Sequence, residues 1–283
     1  ERDATAEESP KTRIATLTAR SDNFADIALF DLAPIPTMEE LLKNVEWRIM
    51  DGNIGYLRIY HVIHFDDYAQ YPTEVTEIVA QALEAFNAAG VNSLILDLRG
   101  NRGGSDQAAA DISGHFAKES SIYERTAWYN ASSGRFDYAH SDLFGQTFEL
   151  GDEPLWVEPR QPHFWGNIAV LVNPATISSG EGLAMAIGRQ PNATVMGFYG
   201  THGSFGLVFW PIAMPEGISF QFPIGRSLDA HGVIQIDSDA SGMGGVQPEI
   251  RIPRTWQNIA AYASGKDVEL EFARDWLLNQ DPR

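Results

Sequence analysis

The sequence predicts an α/β fold in which parallel strands are connected by helical crossovers. Residues 92–100 and 166–173 are short apolar runs of the kind found in strands that are buried on both faces. A turn of small residues and then a helical pattern follow each run, at 106–118 after the first and at 180–189 after the second. Two strand–turn–helix units of this kind indicate a parallel sheet.

The chain before the first of these strands divides into a tail, a connection and the start of a core. Residues 1–20 are expected to form a polar N-terminal tail or linker, 21–45 a connecting segment, and 46–283 a single core. In the core, residues 53–63 are rich in Ile, Tyr and Val, which predicts a strand. Residues 73–89 place apolar side chains on one face and end before a glycine, which predicts a helix.

The remaining segments are assigned from turn residues and periodicity. Residues 12–20 alternate like an edge strand, and residues 36–50 begin as a short helix and become a strand. Residues 193–252 contain many Gly and Pro residues between short apolar runs, so they are expected to be mostly β. Residues 266–280 are amphipathic and predict a closing helix.

Composition narrows the functional classes. The chain has 283 residues, and 38 acidic against 20 basic residues give a formal net charge of −18. Such an excess repels phosphate backbones and anionic membrane surfaces, which argues against nucleic acid as a partner. There is no cysteine and no apolar run long enough to span a membrane, so thiolate chemistry is excluded and no membrane span is predicted. No His, Asp and Glu spacing suggests a metal site, and no cofactor is expected.

Two adjacent serines lie in the turn between residues 166–173 and the helix at 180–189. In one interpretation, Ser178 and Glu181 form a capping box, in which the hydroxyl caps the helix and the carboxylate reaches back. In the other, the strand-to-helix turn raises a serine hydroxyl to the end of the sheet, where backbone N–H groups can face an anion. The pattern alone does not decide between a cap and a nucleophile.

A second turn, residues 99–105, is rich in glycine and also follows a buried strand. The carboxyl ends of the strands in open α/β sheets are where binding sites form. The glycines can serve a tight turn, or they can present backbone donors to an oxyanion or a phosphate. The turn lacks the lysine of a phosphate-binding loop and does not match the dinucleotide-binding fingerprint.

Taken together, the two turns resemble those of the carboxy-terminal processing (tail-specific) serine proteases. More distantly, they resemble the tricorn core protease and the interphotoreceptor retinoid-binding protein. The resemblance covers residues 46–280 and is carried by the segments SLILDLRGNRGG, NIAVLVNPATISSGEGLAMAI, GNIGYLRI, ATVMGFYGTHGSFG, GGVQPEIRIP and DVELEFARDWL.

The resemblance implies a ClpP/crotonase-like spiral of ββα units and a polypeptide substrate. It assigns the nucleophile to Ser178, supported by Glu181, and the oxyanion donors to the backbone N–H of Ser179 and one N–H of the Gly103–Gly104 turn. Because these donors belong to the main chain, removal of the Ser179 hydroxyl is expected to matter little. The resemblance also implies a periplasmic or secreted location and a PDZ-like module before this core, of which residues 12–20 would be the end. It does not indicate the oligomeric state.

The chain departs from the family in its general base. Many members carry a lysine about 25 residues beyond the serine, but the lysines here are at positions 11, 43, 118 and 266. A Ser178–Lys pair of that kind is therefore excluded, and a histidine is expected to replace it. His202 lies in the loop that should carry the base, and His64 adjoins two aspartates that could orient it; the two rank equally. His61 ranks below them.

Two other functions stay open at this point. A catalytically silent ligand- or peptide-binding protein on the same fold is favoured by the missing lysine, although a pure binder has no need of a serine between oxyanion-type turns. An acyl-CoA enzyme of the crotonase type would need basic residues for the phosphates of coenzyme A. The net charge and the four lysines argue against it.

Overall fold

The structure of the chain is a computed structural model. It describes residues 44–63, 74–138, 140–143, 146–149, 153–208, 212–213, 215–220, 222–237 and 244–280. In chain order its strands are β1 (Val45–Met50), β2 (Ile54–Ile59), β3 (Ser93–Asp97), β4 (Ser121–Asn130), β5 (Arg135–Asp137), β6 (His140–Leu143), β7 (Gln146–Glu149), β8 (Leu155–Val157), β9 (Asn167–Leu171), β10 (Ala193–Gly197), β11 (Gly206–Val208), β12 (Ile212–Ala213), β13 (Ser219–Phe220), β14 (Pro223–Leu228) and β15 (Ile250–Arg251). Its helices are α1 (Val75–Ala88), α2 (Asp106–Gly114), α3 (Ser179–Gly188), α4 (Trp256–Ala263) and α5 (Val268–Leu278).

The central sheet has the strand order β1-β2-β3-β9-β10-β15. Strand β1 is antiparallel to β2, and every other neighbouring pair is parallel. A second, antiparallel sheet is built from β11, β14, β4 and β5, with β8 also paired to β4. The α/β class with parallel strands and helical crossovers is therefore confirmed, whereas the spiral arrangement of ββα units stays a prediction.

Both faces of the central sheet are covered, as expected of wholly apolar strands. Every residue of β3 and of β9 is buried. On one face Leu94 and Leu96 pack with α1, α2 and α3, and on the other Ile95 packs with Ala273 and Leu277 of α5. This two-sided burial fixes the carboxyl ends of β3 and β9, where the two small-residue turns begin.

The described elements agree with most of the sequence predictions and differ at three places. The helix predicted to reach residue 118 ends at Gly114, because the Gly114 carbonyl accepts a hydrogen bond from the Arg160 N–H (2.9 Å) instead of continuing the helix. Helix α4 and strands β4 to β8 were not predicted, whereas β11 and β14 of the antiparallel sheet lie in the range 193–252 that was expected to be mostly β. The tail at 1–20, with its possible strand at 12–20, and the connection up to residue 43 lie outside the described residues.

A buried charge network ties the end of β3 to α5. The Arg99 guanidinium, 4% exposed, donates to Asp97 (2.6 Å), Asp267 (2.7 Å) and Glu269 (3.1 Å). Burial alone would raise the pKa of the Asp97 carboxyl, but the adjacent Arg99 holds that pKa below its usual range. Glu269 also accepts from the N–H of Phe198 (2.8 Å). The network therefore joins β3, the end of β10 and the closing helix.

Substitution of Arg99 by methionine is expected to lower the free energy of unfolding by about 3–5 kcal/mol, because it leaves buried carboxylates without their cation. Arg274→Met provides the matched control. Arg274 pairs with Asp275 at the surface, where such a pair contributes about 0–1 kcal/mol. Urea unfolding of the two variants measures both effects, and equal losses would show that the buried network does not stabilise the fold.

Candidate active site

Ser178 lies in the turn between β9 and α3, immediately before the helix begins. Its backbone has φ 55° and ψ −133°, a conformation that a residue with a Cβ rarely adopts. Holding such a conformation costs on the order of 1–3 kcal/mol, which the surrounding structure must supply. A strained strand-to-helix turn of this kind places a serine hydroxyl at the exposed end of a parallel sheet.

Polar side chains lock the serine turn to the glycine-rich turn beside it. The Asn173 Oδ1 atom accepts a hydrogen bond from the Gly100 N–H at 2.9 Å. The Thr176 hydroxyl donates to the Leu98 carbonyl at 2.7 Å. Because these groups are buried, the two turns have a fixed relative position, which accounts for the strained backbone of Ser178.

The capping box does not form, so that interpretation of the serine turn is wrong. Ser178 stands at the N-cap position, but its side chain makes no capping hydrogen bond, and no described residue is a partner of its hydroxyl. The buried Glu181 carboxylate points to the next loop instead. It accepts from the Gly203 N–H (2.8 Å), the Ser204 N–H (2.6 Å) and the Ser204 hydroxyl (2.8 Å).

The glycine-rich turn approaches Ser178 so closely that side chains are excluded. A Cβ atom at Gly103, where φ is +74°, would lie 2.7 Å from the Ser178 Cβ and 2.9 Å from the Ser179 nitrogen. At Gly104, where φ is +145°, it would lie 2.5 Å from the carbonyl oxygen of Val62. Both positions therefore require glycine for space as well as for conformation.

Two backbone N–H groups beside Ser178 have no acceptor among the described residues: those of Ser179 and Gly104. The first belongs to the first turn of α3, where N–H groups lack helical partners. The Gly103 N–H, by contrast, donates to Asn101 Oδ1 at 2.8 Å, so Gly104 is the donor that this turn leaves available. The Ser179 hydroxyl donates to the Gly104 carbonyl at 3.0 Å. This bond holds the two peptides together, so removal of that hydroxyl is expected to disturb the site, contrary to the expectation from the sequence.

Of the three candidate histidines, the described residues include His202 and His61 but not His64. His202 is exposed in the loop that Glu181 anchors, and no described residue is its hydrogen-bond partner. The same loop reaches Ser178 through Ser204, whose hydroxyl lies 3.4 Å from the Ser178 nitrogen. His64 lies outside the described residues. His61 is buried at the end of β2, 5% exposed.

A cavity of about 430 Å³ opens beside the loop that carries His202. Ser204 and Phe205 form its edge on the side of the loop, and Phe136, Arg226 and Asp237 lie among its other lining residues. Asp237 is the acidic residue of this lining. Within the described ranges, no group of three His, Asp or Glu side chains could hold a metal ion.

Two carboxyl groups behind the glycine-rich turn were not predicted from the sequence: that of the half-buried Asp106 and that of the buried Glu124. Burial and the neighbouring Asp106 raise the pKa of Glu124 to about 8. Asp106 could have been located at the start of α2 because it follows the turn. Glu124 lies 18 positions later on a strand that was not predicted, so only the fold brings the two together.

Residues 53–252 match the model of peptidase family S41, which is more than half of the chain. The chain belongs to peptidase family S41. This confirms the sequence-based resemblance at the level of the family. No curated protein matches the chain.

Solved structures similar to this S41 chain include a candidate peptidase from Parabacteroides merdae, with 21% identity and a TM-score of 0.59 over 84% of this chain and 65% of that one. Mature CPAF in complex with lactacystin has 18% identity and a TM-score of 0.58 over 84% and 55%. A candidate S41 protease from Bacteroides fragilis has 17% identity and a TM-score of 0.54 over 84% and 58%. At these identities the similarity shows the fold. The S41 chain spans between 55% and 65% of the length of these structures.

Proposed function

We propose that the chain is a serine-type peptidase that cleaves polypeptides through an acyl-enzyme on Ser178. The proposal rests on the geometry at Ser178. This residue has a strained backbone, and its hydroxyl caps no helix N–H group. It lies beside the backbone N–H groups of Ser179 and Gly104, for which no described residue supplies an acceptor. Membership of peptidase family S41 supports the reaction class. A hydroxyl beside unpaired backbone donors at a helix N-terminus suits acyl transfer.

In the proposed reaction, the Ser178 Oγ attacks the carbonyl carbon of the substrate while a histidine takes the hydroxyl proton. The carbonyl oxygen becomes an oxyanion, which accepts hydrogen bonds from the N–H groups of Ser179 and Gly104. Collapse of this intermediate breaks the peptide bond, and the amine leaves with the proton from the histidine. Water then attacks the ester by the same route and releases the acid.

Two histidines remain candidates for the base. His202 is favoured by its loop, since Glu181 fixes Gly203 and Ser204, and Ser204 in turn contacts Ser178. His64 is favoured by its place in the chain, because Val62, two residues before it, forms a bridge with Gly104. An imidazole at either place would suit proton transfer near neutral pH. The lysine of the wider family has no counterpart in this loop, where Gly203 and Ser204 stand.

The cavity beside Ser204, with apolar walls and the charged Arg226 and Asp237, is proposed to accept substrate side chains. Cleavage near carboxyl termini and a periplasmic or secreted location stay predictions from the resemblance. No described helix is long and apolar enough to cross a membrane.

Labelling with a fluorophosphonate tests both the activity and the base. The folded chain is expected to gain the mass of one adduct. Of His64→Ala and His202→Ala, the one that removes the base should label about 10²–10⁴ times more slowly, and the other at the rate of the unmodified chain. His231→Ala, which changes an exposed histidine, is the control. Failure of the folded, unmodified chain to label would contradict the peptidase proposal and favour a silent binding protein.

A further inference from the structure

Two carboxyl groups, those of the half-buried Asp106 and the buried Glu124, lie behind the proposed oxyanion site. Asp106 is the first residue of α2, directly after the glycine-rich turn, and Glu124 lies on β4 with 2% of its surface exposed. The two side chains are close enough for each to shift the pKa of the other. Yet Asp106 Oδ1 and Glu124 Oε2 are closed to solvent, and no N–H or O–H donor among the described residues reaches them. A proton on one of the carboxyl groups would supply the missing donor.

The surroundings of the pair give it no compensating positive charge. Within the described ranges, no Lys, Arg or His forms an ion pair with either carboxyl. The other groups that face the pair are the hydroxyls of Ser179 and Ser227 and the buried Tyr123. The positive charge of Arg189 acts on the Tyr123 hydroxyl, where it opposes the rise of the pKa that burial causes.

Two adjacent buried carboxylates cannot both ionise without strong repulsion. Burial raises the pKa of Asp106, and burial together with the Asp106 charge raises the pKa of Glu124 to about 8. At neutral pH the pair therefore retains a proton.

A chain of contacts connects this pair to the oxyanion site. The Ser179 hydroxyl is close enough to Asp106 to oppose the rise that burial causes in the pKa of this carboxyl. That hydroxyl donates to the Gly104 carbonyl at 3.0 Å. Ser179 and Gly104 are the two residues whose N–H groups have no acceptor among the described residues. The carboxyl pair thus lies next to the hydroxyl that joins the two proposed donors.

We propose that Asp106 and Glu124 share one proton and that the protonated pair positions the peptides of Ser179 and Gly104 for the oxyanion. The inference rests on the proposed peptidase function and names positioning residues for it, since neither carboxyl contacts the substrate. When the shared proton is lost, two negative charges face each other, and Asp106 moves away from its neighbours. The active form is the protonated one, so activity falls as the pH rises through about 8.

The pH dependence of fluorophosphonate labelling tests this role. Above pH 8, the labelling rate of the unmodified chain should fall by about tenfold per pH unit, as expected for the loss of one proton. Glu124→Gln should keep its rate over the same range, because the amide cannot lose a proton at these pH values and still donates to Asp106. Glu119→Gln makes the same change at an exposed position and should retain the fall seen in the unmodified chain.

The possible results distinguish a failure of the positioning role from a failure of the peptidase proposal. A Glu124→Gln profile that falls in parallel with the unmodified chain, or an unmodified chain with no alkaline fall, overturns the positioning role. If the unmodified chain does not label at any pH, the peptidase proposal fails, and the positioning role fails with it. In that case infrared spectroscopy at neutral pH tests whether the pair holds a shared proton. The band of a protonated carboxyl must be present and must weaken in Glu124→Gln, and its absence overturns the shared proton.

Discussion

Substitution of Ser178 by alanine is expected to abolish the hydrolysis of peptide bonds. Removing a nucleophilic serine lowers kcat by about 10⁶-fold in well-studied hydrolases, because no acyl-enzyme can form. The fold should tolerate the change, since the Ser178 hydroxyl caps no helix N–H group. Release of fluorescent peptides from labelled casein measures the loss, with circular dichroism to verify the fold.

Ser133→Ala is the matched control for this substitution. Ser133 lies exposed in the turn between β4 and β5, so its hydroxyl should not affect hydrolysis. Loss of activity in Ser178→Ala alone supports the assignment of the nucleophile. If Ser178→Ala retained a tenth or more of the activity, Ser178 could not be the nucleophile.

Substitution of Gly104 by alanine is expected to lower kcat by about 10²–10³-fold with a much smaller change in KM. The added Cβ would lie 2.5 Å from the Val62 carbonyl oxygen, and φ of +145° is unfavourable for alanine. The turn must therefore shift, and the Gly104 N–H moves away from the oxyanion. Loss of one such donor has an effect of this size in other hydrolases. Kinetics on the same casein substrate measure kcat and KM.

Gly134→Ala separates this effect from the general cost of a left-handed conformation. Gly134 has φ +65°, and a Cβ there would meet nothing within 4 Å. This variant should lose about 1–2 kcal/mol of stability and keep its kcat. Equal losses of kcat in the two glycine variants would contradict a specific role for the Gly104 peptide.

The sequence predicted the central sheet well because its strands carry strong local signals. Residues 92–100 and 166–173 are apolar throughout, and each precedes a turn of small residues, so their parallel pairing followed from the order of elements. The antiparallel sheet around β4 was missed because its strands mix charged, polar and aromatic residues. Such strands are stabilised by contacts with distant segments, which no local pattern reveals.

Some parts of the candidate site followed from the sequence, and others needed the fold. The positions of Ser178 and of the glycine-rich turn follow from motifs at the ends of buried strands. The choice of Gly104 over Gly103 does not, because it depends on the side chain of Asn101. The contact of the Glu181 carboxylate with the N–H groups of Gly203 and Ser204 could not be predicted either, because it joins residues more than 20 positions apart in the chain.

The most direct measurement is to locate the adduct after the unmodified chain has reacted with a fluorophosphonate. Digestion and tandem mass spectrometry identify the modified residue without any assumption about the substrate. The account predicts a single adduct on Ser178, at the strained turn beside the N–H groups of Ser179 and Gly104. An adduct on any other residue, or none on a chain shown to be folded, would contradict it.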